Sequence, residues 1–233
     1  MSEDLIKIGH IHPRIKPLSF YKRIEIEYPI LTTKTISEML IKAVNKLPKD
    51  MFLQIDGGYR STKTQRKLWF NKIKELGKEK ATQLVGNPFT TNIPGHCVGG
   101  AVDVSLLDRK MKEINLSAPF KNYYDQQKLY SNKISEESQK LRLVLYNAMV
   151  TSGFAPHPNE YWHFSYGDRR WAKYYNKKAI YKKELSAVNH KYNPVVIIFI
   201  KVIIRVRKLI VKTISKISSY FFRDTKVTDP SLP

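Results

Sequence analysis

Three short segments concentrate the side chains that do chemistry: DGGYRSTKTQ (56–65), GHCVGGAVD (95–103) and EYWHFSYGD (160–168). In the second, His96 lies in a glycine-bounded turn, and Asp103 follows on a stretch that reads as a strand. Glycines allow close backbone approach and positive φ, so a loop side chain can fold back onto a strand side chain. An imidazole and a carboxylate brought together in this way suit a borderline cation such as Zn²⁺. Taken alone, a histidine beside a glycine-rich turn is more often a hydrogen-bonded loop residue.

The third segment supplies more. His163 offers a second imidazole between Trp162 and Phe164, and Glu160 stands at the mouth of the same stretch. Three protein ligands with one open position is the catalytic arrangement of zinc, whereas structural sites are closed by four. His96, Asp103 and His163 would fill the three places, with one Zn²⁺ per chain, and Glu160 would be free to act as a base. Residues three apart on a regular strand face opposite ways, so Glu160 is expected in the loop before the strand. The bland alternatives are a strand-end carboxylate for Glu160 and a core ring for Trp162. Arg60 is either a surface-turn residue or the donor to a substrate carbonyl oxygen, where negative charge develops during attack. Removing one such preorganised donor typically lowers a rate by ~10²–10³. Asp56 and Tyr59 are pocket candidates or structural residues. Cys97 is either a fourth ligand that closes the site or a packed, inert thiol; adjacent side chains point apart, which favours the second.

Positioning these residues requires several elements. Residues 1–30 carry Pro13, Pro17 and Pro29 without a clean period, which predicts an irregular or short-stranded lead. Ile36, Met39, Leu40, Val44 and Leu47 follow helical spacing until Pro48. MFLQI (51–55) reads as a strand running into a turn at Asp56, Gly57 and Gly58. Ser61 can cap a helix that holds Gln65, Leu68, Trp69, Ile73 and Leu76. Residues 86–100 read as a loop, and AVDVSL (101–106) alternates as a strand with Asp103 facing away from Val102 and Val104. A helix is predicted over 136–152, ended by Gly153 as a C′ glycine, and a last strand over 161–166. Short strands interleaved unevenly with helices predict an α+β fold.

At these residues the sequence resembles the zinc D-alanyl-D-alanine peptidases, most closely the D-alanyl-D-alanine dipeptidase branch. That family carries S-x-H-x-x-G-x-A-x-D and, well downstream, E-x-W-H. His96, Gly99, Ala101 and Asp103 fit the first pattern, and Glu160, Trp162 and His163 fit the second. The contexts EYWHFSYGDRRWA (160–172) and APF (118–120) look like the dipeptidase branch; GYRSTKTQ (58–65) is similar to both the dipeptidases and the D,D-carboxypeptidases. The resemblance covers roughly residues 20–175. It implies zinc held by His96, Asp103 and His163, Glu160 as catalytic base, Arg60 as electrophilic helper, and a central antiparallel sheet flanked by helices with the zinc site on it. One departure stands out: Pro94 occupies the position of the family serine, whose hydroxyl is expected to help hold the substrate.

The chain of 233 residues carries 41 Lys and Arg against 20 Asp and Glu, a formal charge of +21, which favours polyanionic partners. A single cysteine excludes an internal disulfide, and 42% hydrophobic residues exclude wholesale disorder. The start of the sequence lacks a basic stretch followed by an apolar run, so a cytoplasmic location is expected. The division expected is a zinc D,D-peptidase domain over 1–185 and a basic extension over 186–233, the latter with net charge +7. Lys201, Arg205, Lys208, Lys212 and Lys216 recur every three or four residues, one stripe of an amphipathic helix whose other faces are apolar. Residues 195–217 therefore suit an anionic membrane surface at its inner face, or a packed helix with a solvated basic side. No motif for specific nucleic-acid reading accompanies the charge. The expected activity is hydrolysis of a small D,D-dipeptide such as D-Ala-D-Ala. The alternatives are a D,D-carboxypeptidase trimming peptidoglycan stems and a non-catalytic zinc module that binds peptides.

Overall fold

The structure is a computed structural model that describes residues 3–9, 11–18, 29–90, 92–116 and 126–185. The basic segment 186–233 and the APF run at 118–120 lie outside the described residues. In chain order the elements are β1 (Leu5–Lys7), β2 (Ile15–Pro17), β3 (Leu31–Thr33), α1 (Lys34–Lys46), β4 (Phe52–Gly57), α2 (Thr62–Leu76) and α3 (Lys78–Leu84). A 3-10 turn (Gly95–Val98) leads into β5 (Ala101–Leu107), followed by α4 (Glu136–Val150), β6 (Ala155–His157), β7 (Glu160–Ser165) and α5 (Arg169–Tyr174). No helix among the described residues is long and apolar enough to cross a membrane.

The main sheet has five strands in the order β2-β4-β5-β7-β6, and β1 pairs with β3 in a separate ribbon. The expected antiparallel sheet is found through its centre, in three of the four pairings, and one edge departs from it: β2 runs parallel to β4, Ile15 opposite Leu53. Alternation gives the sheet two unlike faces. Leu53 and Ile55 of β4, Val102, Val104 and Leu106 of β5 and Phe164 of β7 belong to one buried cluster with Ile36, Leu40 and Val44 of α1 and Leu145 and Met149 of α4. Gln54, Asp103, Ser105 and His163 occupy the alternate positions, so the second face is polar.

Local chemistry sets the element ends. Thr33 Oγ1 accepts the Ile36 N–H to start α1, Ser61 Oγ accepts from Thr64 to start α2, and Ser135 does the same for α4 through Ser138. The strand predicted to turn at Asp56 instead continues to Gly57, because a register shift between Ile55 and Gly57 absorbs the irregularity within the ladder with β5. Gly153 has φ +99, but α4 already ends at Val150, with Thr151 as its C-cap. Helix α3 was not anticipated because seven residues give too short a hydrophobic period. Helix α5 hides directly behind a strand, where Asp168 caps it by accepting the Trp171 N–H at 2.9 Å.

Candidate active site

Asp103 sits mid-strand on β5 and pairs directly with His163 on β7. Directly opposed residues of an antiparallel pair project from the same face, and Asp103 Oδ1 lies 3.0 Å from His163 Nδ1. The 3-10 turn before β5 brings in the third member. Pro94 precedes it at φ −57 and its carbonyl accepts the Cys97 N–H, while Gly99 closes it at φ +70, a conformation that favours glycine. His96 thereby lies 3.3 Å, through Nε2, from Asp103 Oδ2.

Its other nitrogen, Nδ1, is 2.7 Å from the Gly58 carbonyl. A carbonyl can only accept, so Nδ1 carries the proton and Nε2 presents its lone pair to the site. Residue types alone do not signal this contact, which depends on the backbone after β4 passing behind the turn. Gly57 makes the approach possible from the other side: a Cβ there would stand 2.9 Å from Asp103 Oδ2.

One donor atom from each of His96, Asp103 and His163 falls within 4.8 Å of the others, so the three residues can hold a metal ion. Two imidazole nitrogens and a carboxylate oxygen on three separate residues match the donor chemistry of a three-ligand zinc site. Cys97 is fully buried and is not among these residues, in keeping with a packed thiol. The carboxyl of Asp103 is buried, which by itself would raise its pKa. The closeness of His96 and the hydrogen bond from His163 outweigh this and hold it well below the ordinary carboxylate range.

Glu160 is the first residue of β7 rather than a loop residue. Its Oε2 still comes 3.7 Å from His163 Nδ1, because the pairing with β6 slips between Pro156 and His157 just where Glu160 enters the sheet. Burial raises the Glu160 pKa, only partly offset by the nearby His163. Arg60 completes the group. Its guanidinium is 3.8 Å from Asp103 Oδ2 and donates at 3.1 Å to Gln65 Oε1, and Gln65 in turn donates to the Gly86 carbonyl at 2.7 Å. Gln65 is 2% exposed, so Arg60 is held by a buried prop one helical turn into α2.

The two pocket candidates resolve as structural residues. Asp56 is buried and accepts from Gln54. Tyr59 is buried and donates to the Leu185 carbonyl at 2.6 Å. The same terminal stretch is stitched to the site twice more, by Leu185 N–H to the Cys97 carbonyl and by Thr62 N–H to Glu184.

A D-alanyl-D-alanine dipeptidase of Synechocystis sp. is 35% identical over 103 residues, 40% of this chain and 41% of that protein. The match therefore spans about two fifths of the curated relative's length. Among solved structures, the LdcB LD-carboxypeptidase shares 17% identity with a TM-score of 0.45, covering 77% of this chain and 76% of that one. A zinc-bound variant of the vancomycin-resistance D,D-pentapeptidase VanY shares 18%, with a TM-score of 0.38 over 60% of this chain and 75% of that one. The family model described as D-ala-D-ala dipeptidase matches residues 20–182, a span that takes in Arg60, both histidines, Asp103 and Glu160. With that match extending over well more than half of its length, the chain belongs to the D-Ala-D-Ala dipeptidase family, Peptidase_M15.

Proposed function

We propose that the protein is a zinc D,D-dipeptidase that hydrolyses D-Ala-D-Ala or a closely related dipeptide in cell-wall peptide metabolism. The observation that carries this reading is the convergence of five side chains on one polar sheet face: His96, Asp103 and His163 with donor atoms within 4.8 Å, Glu160 beside His163, and Arg60 beside Asp103. His96, Asp103 and His163 hold one zinc per chain. When bound, zinc supplies a Lewis acid that acidifies water and polarises a carbonyl. Glu160, kept partly basic by its buried setting, takes the proton from the attacking water and returns it to the leaving amine. Arg60 places a fixed positive charge where the carbonyl oxygen becomes negative, and Gln65 keeps it there without reorganisation during the reaction.

The test is release of D-alanine from D-Ala-D-Ala by the zinc-loaded protein, with a stem pentapeptide as second substrate and Glu160→Gln as control. Dipeptide cleavage that Glu160→Gln reduces by ~10²–10⁴ while retaining zinc supports the reading. Cleavage of the stem alone assigns the D,D-carboxypeptidase activity instead. Zinc binding with neither substrate cut leaves a non-catalytic peptide-binding module.

We further propose that residues 1–185 form the peptidase domain and that residues 186–233 are an accessory. Its cationic stripe from Lys201 to Lys216 would hold the domain at the anionic inner face of the membrane, in the cytoplasm. Deleting 194–233 should leave hydrolysis unchanged and abolish binding to vesicles rich in anionic lipid; retained vesicle binding would overturn this assignment.

A further inference from the structure

Helix α2 turns one side toward the catalytic groups and leaves the other bare. Gln65 and Trp69 are buried, whereas Lys63, Arg66, Lys67, Phe70, Asn71 and Lys74 are all exposed. Steps of three and four residues put those six on a single helical stripe. The helix carries five basic residues and one acid, Glu75, which Lys72 engages at 2.7 Å. Among the described residues, Lys63, Arg66, Lys67 and Lys74 form no ion pair.

The stripe is not only cationic. Phe70 is 49% exposed, and Phe89, delivered by the loop after α3, is 55% exposed. That loop is fixed where Gln65 donates to the Gly86 carbonyl and where Asn87 Oδ1 accepts the Phe89 N–H at 2.9 Å. The rings of Trp69, Phe70 and Phe89 meet pairwise, with centroids 5.4, 5.5 and 5.8 Å apart and planes at 66°, 67° and 62°. The Arg66 guanidinium lies 5.2 Å from the centre of the Phe89 ring. Beside Phe70 a cavity of about 540 Å³ opens, with Thr62 and Glu184 at its wall. Glu184 is already engaged there, as acceptor of the Thr62 N–H at 2.9 Å.

Two half-exposed rings among unpaired cations fit a partner that is anionic outside and apolar beneath. A lipid surface has that layering, with phosphates for Lys and Arg and the acyl boundary for the rings. A single-stranded nucleic acid needs flat ring faces on which successive bases stack. These three rings meet edge to face, and Arg66 sits against Phe89. The segment beginning at 186 is excluded as the occupant by its own net charge of +7. We propose that Lys63, Arg66, Lys67 and Lys74, with Phe70 and Phe89, form a second contact for an anionic membrane on the peptidase domain itself. One weak contact gives only reversible attachment, and stable anchoring takes two. The inference therefore rests on the membrane reading of residues 186–233: that segment brings the domain to the surface, and the patch fixes which side faces lipid.

The experiment uses the full zinc-loaded chain carrying Phe70→Trp, with vesicles of equal parts phosphatidylglycerol and phosphatidylcholine. Its emission, taken as a difference from the parent, should shift to the blue and be quenched by brominated acyl chains. Vesicles of phosphatidylcholine alone should leave it unchanged. Replacing Lys63, Lys67 and Lys74 together by Gln should weaken vesicle affinity about 10- to 100-fold, and Phe70→Ser with Phe89→Ser about 10-fold. Release of D-alanine from D-Ala-D-Ala should be unchanged in both, which also reports that they fold. A chain that binds the vesicles with Phe70→Trp unquenched, and equally well in both variants, would overturn the patch and leave the role of residues 186–233 standing. Binding that survives Lys201→Gln, Lys208→Gln and Lys212→Gln together, yet is lost in the patch variants, would overturn that role and leave the patch. No vesicle binding by the full chain would overturn both. A Phe70→Trp signal that answers to single-stranded RNA and not to vesicles would assign the surface to nucleic acid and overturn the proposal.

Discussion

Arg60 illustrates how little freedom the site leaves its charged groups. Its guanidinium is fixed between Asp103 and a glutamine that is itself fixed to the Gly86 carbonyl. Replacing Gln65 by Leu removes the prop while leaving Arg60 in place. The expected result is a fall in kcat of about tenfold with KM and zinc content nearly unchanged, because misplacement is felt in the transition state more than in the bound substrate. A parallel rise in KM would assign Gln65 to substrate binding. His163→Ala, by contrast, should lose stoichiometric metal, measured by elemental analysis after dialysis; full occupancy would remove His163 from the ligand set. At this scale the sequence was informative where residue type is chemically restrictive. Two histidines, an aspartate and a glutamate at motif spacing leave few other roles. The buried prop under Arg60 was not legible, since Gln65 reads as one more polar residue of a capped helix until its bonds to Arg60 and to the Gly86 carbonyl are known.

Helix α4 shows the same limit among elements. Its apolar positions were readable, and Leu145 and Met149 are indeed fully buried. Arg142 on the same helix is 1% exposed, which no periodicity suggested. It donates through Nε to the Leu116 carbonyl at 2.6 Å and through one terminal nitrogen to the Lys128 carbonyl at 2.7 Å, with its guanidinium 3.9 Å above the Tyr161 ring. It thereby fastens α4 to Leu116, Lys128 and β7. Burial, only partly offset by Tyr161, lowers the guanidinium pKa to about 10. Arg142→Met fills similar volume but leaves two carbonyls without their donor. A loss of about 3 kcal/mol is expected, equivalent to roughly 6–12 °C in melting temperature for a domain of this size. A melt within a degree of the parent would mean that other donors replace the arginine. Sheet order was equally hidden: β2 could not be placed parallel to β4 from three residues of lead sequence.

Across the molecule, long-range contacts tie the residues just before β1 to both the first helix and the last described segment. Glu3 accepts from the Thr35 N–H and hydroxyl at 3.0 and 2.7 Å and from the Tyr181 hydroxyl at 2.7 Å. Its partial burial alone would raise its pKa, yet these three donors hold it below the ordinary 4.5. A carboxyl with a depressed folded value stabilises fully above its unfolded pKa and loses that contribution as pH falls through the folded one. Melting temperature should therefore decline below about pH 4.5, and Glu3→Gln should lower it at pH 7 while flattening that acid decline. An unchanged acid slope in the variant would assign the decline to other carboxyls. The stitching of Leu185 to Tyr59 and Cys97, and of Glu184 to Thr62, has a mechanical side. Any pull exerted on the chain beyond 185 is delivered first to the backbone around Arg60 and to the turn that carries His96. A tether placed there would load the segments that carry Arg60 and His96 before it loaded the hydrophobic core.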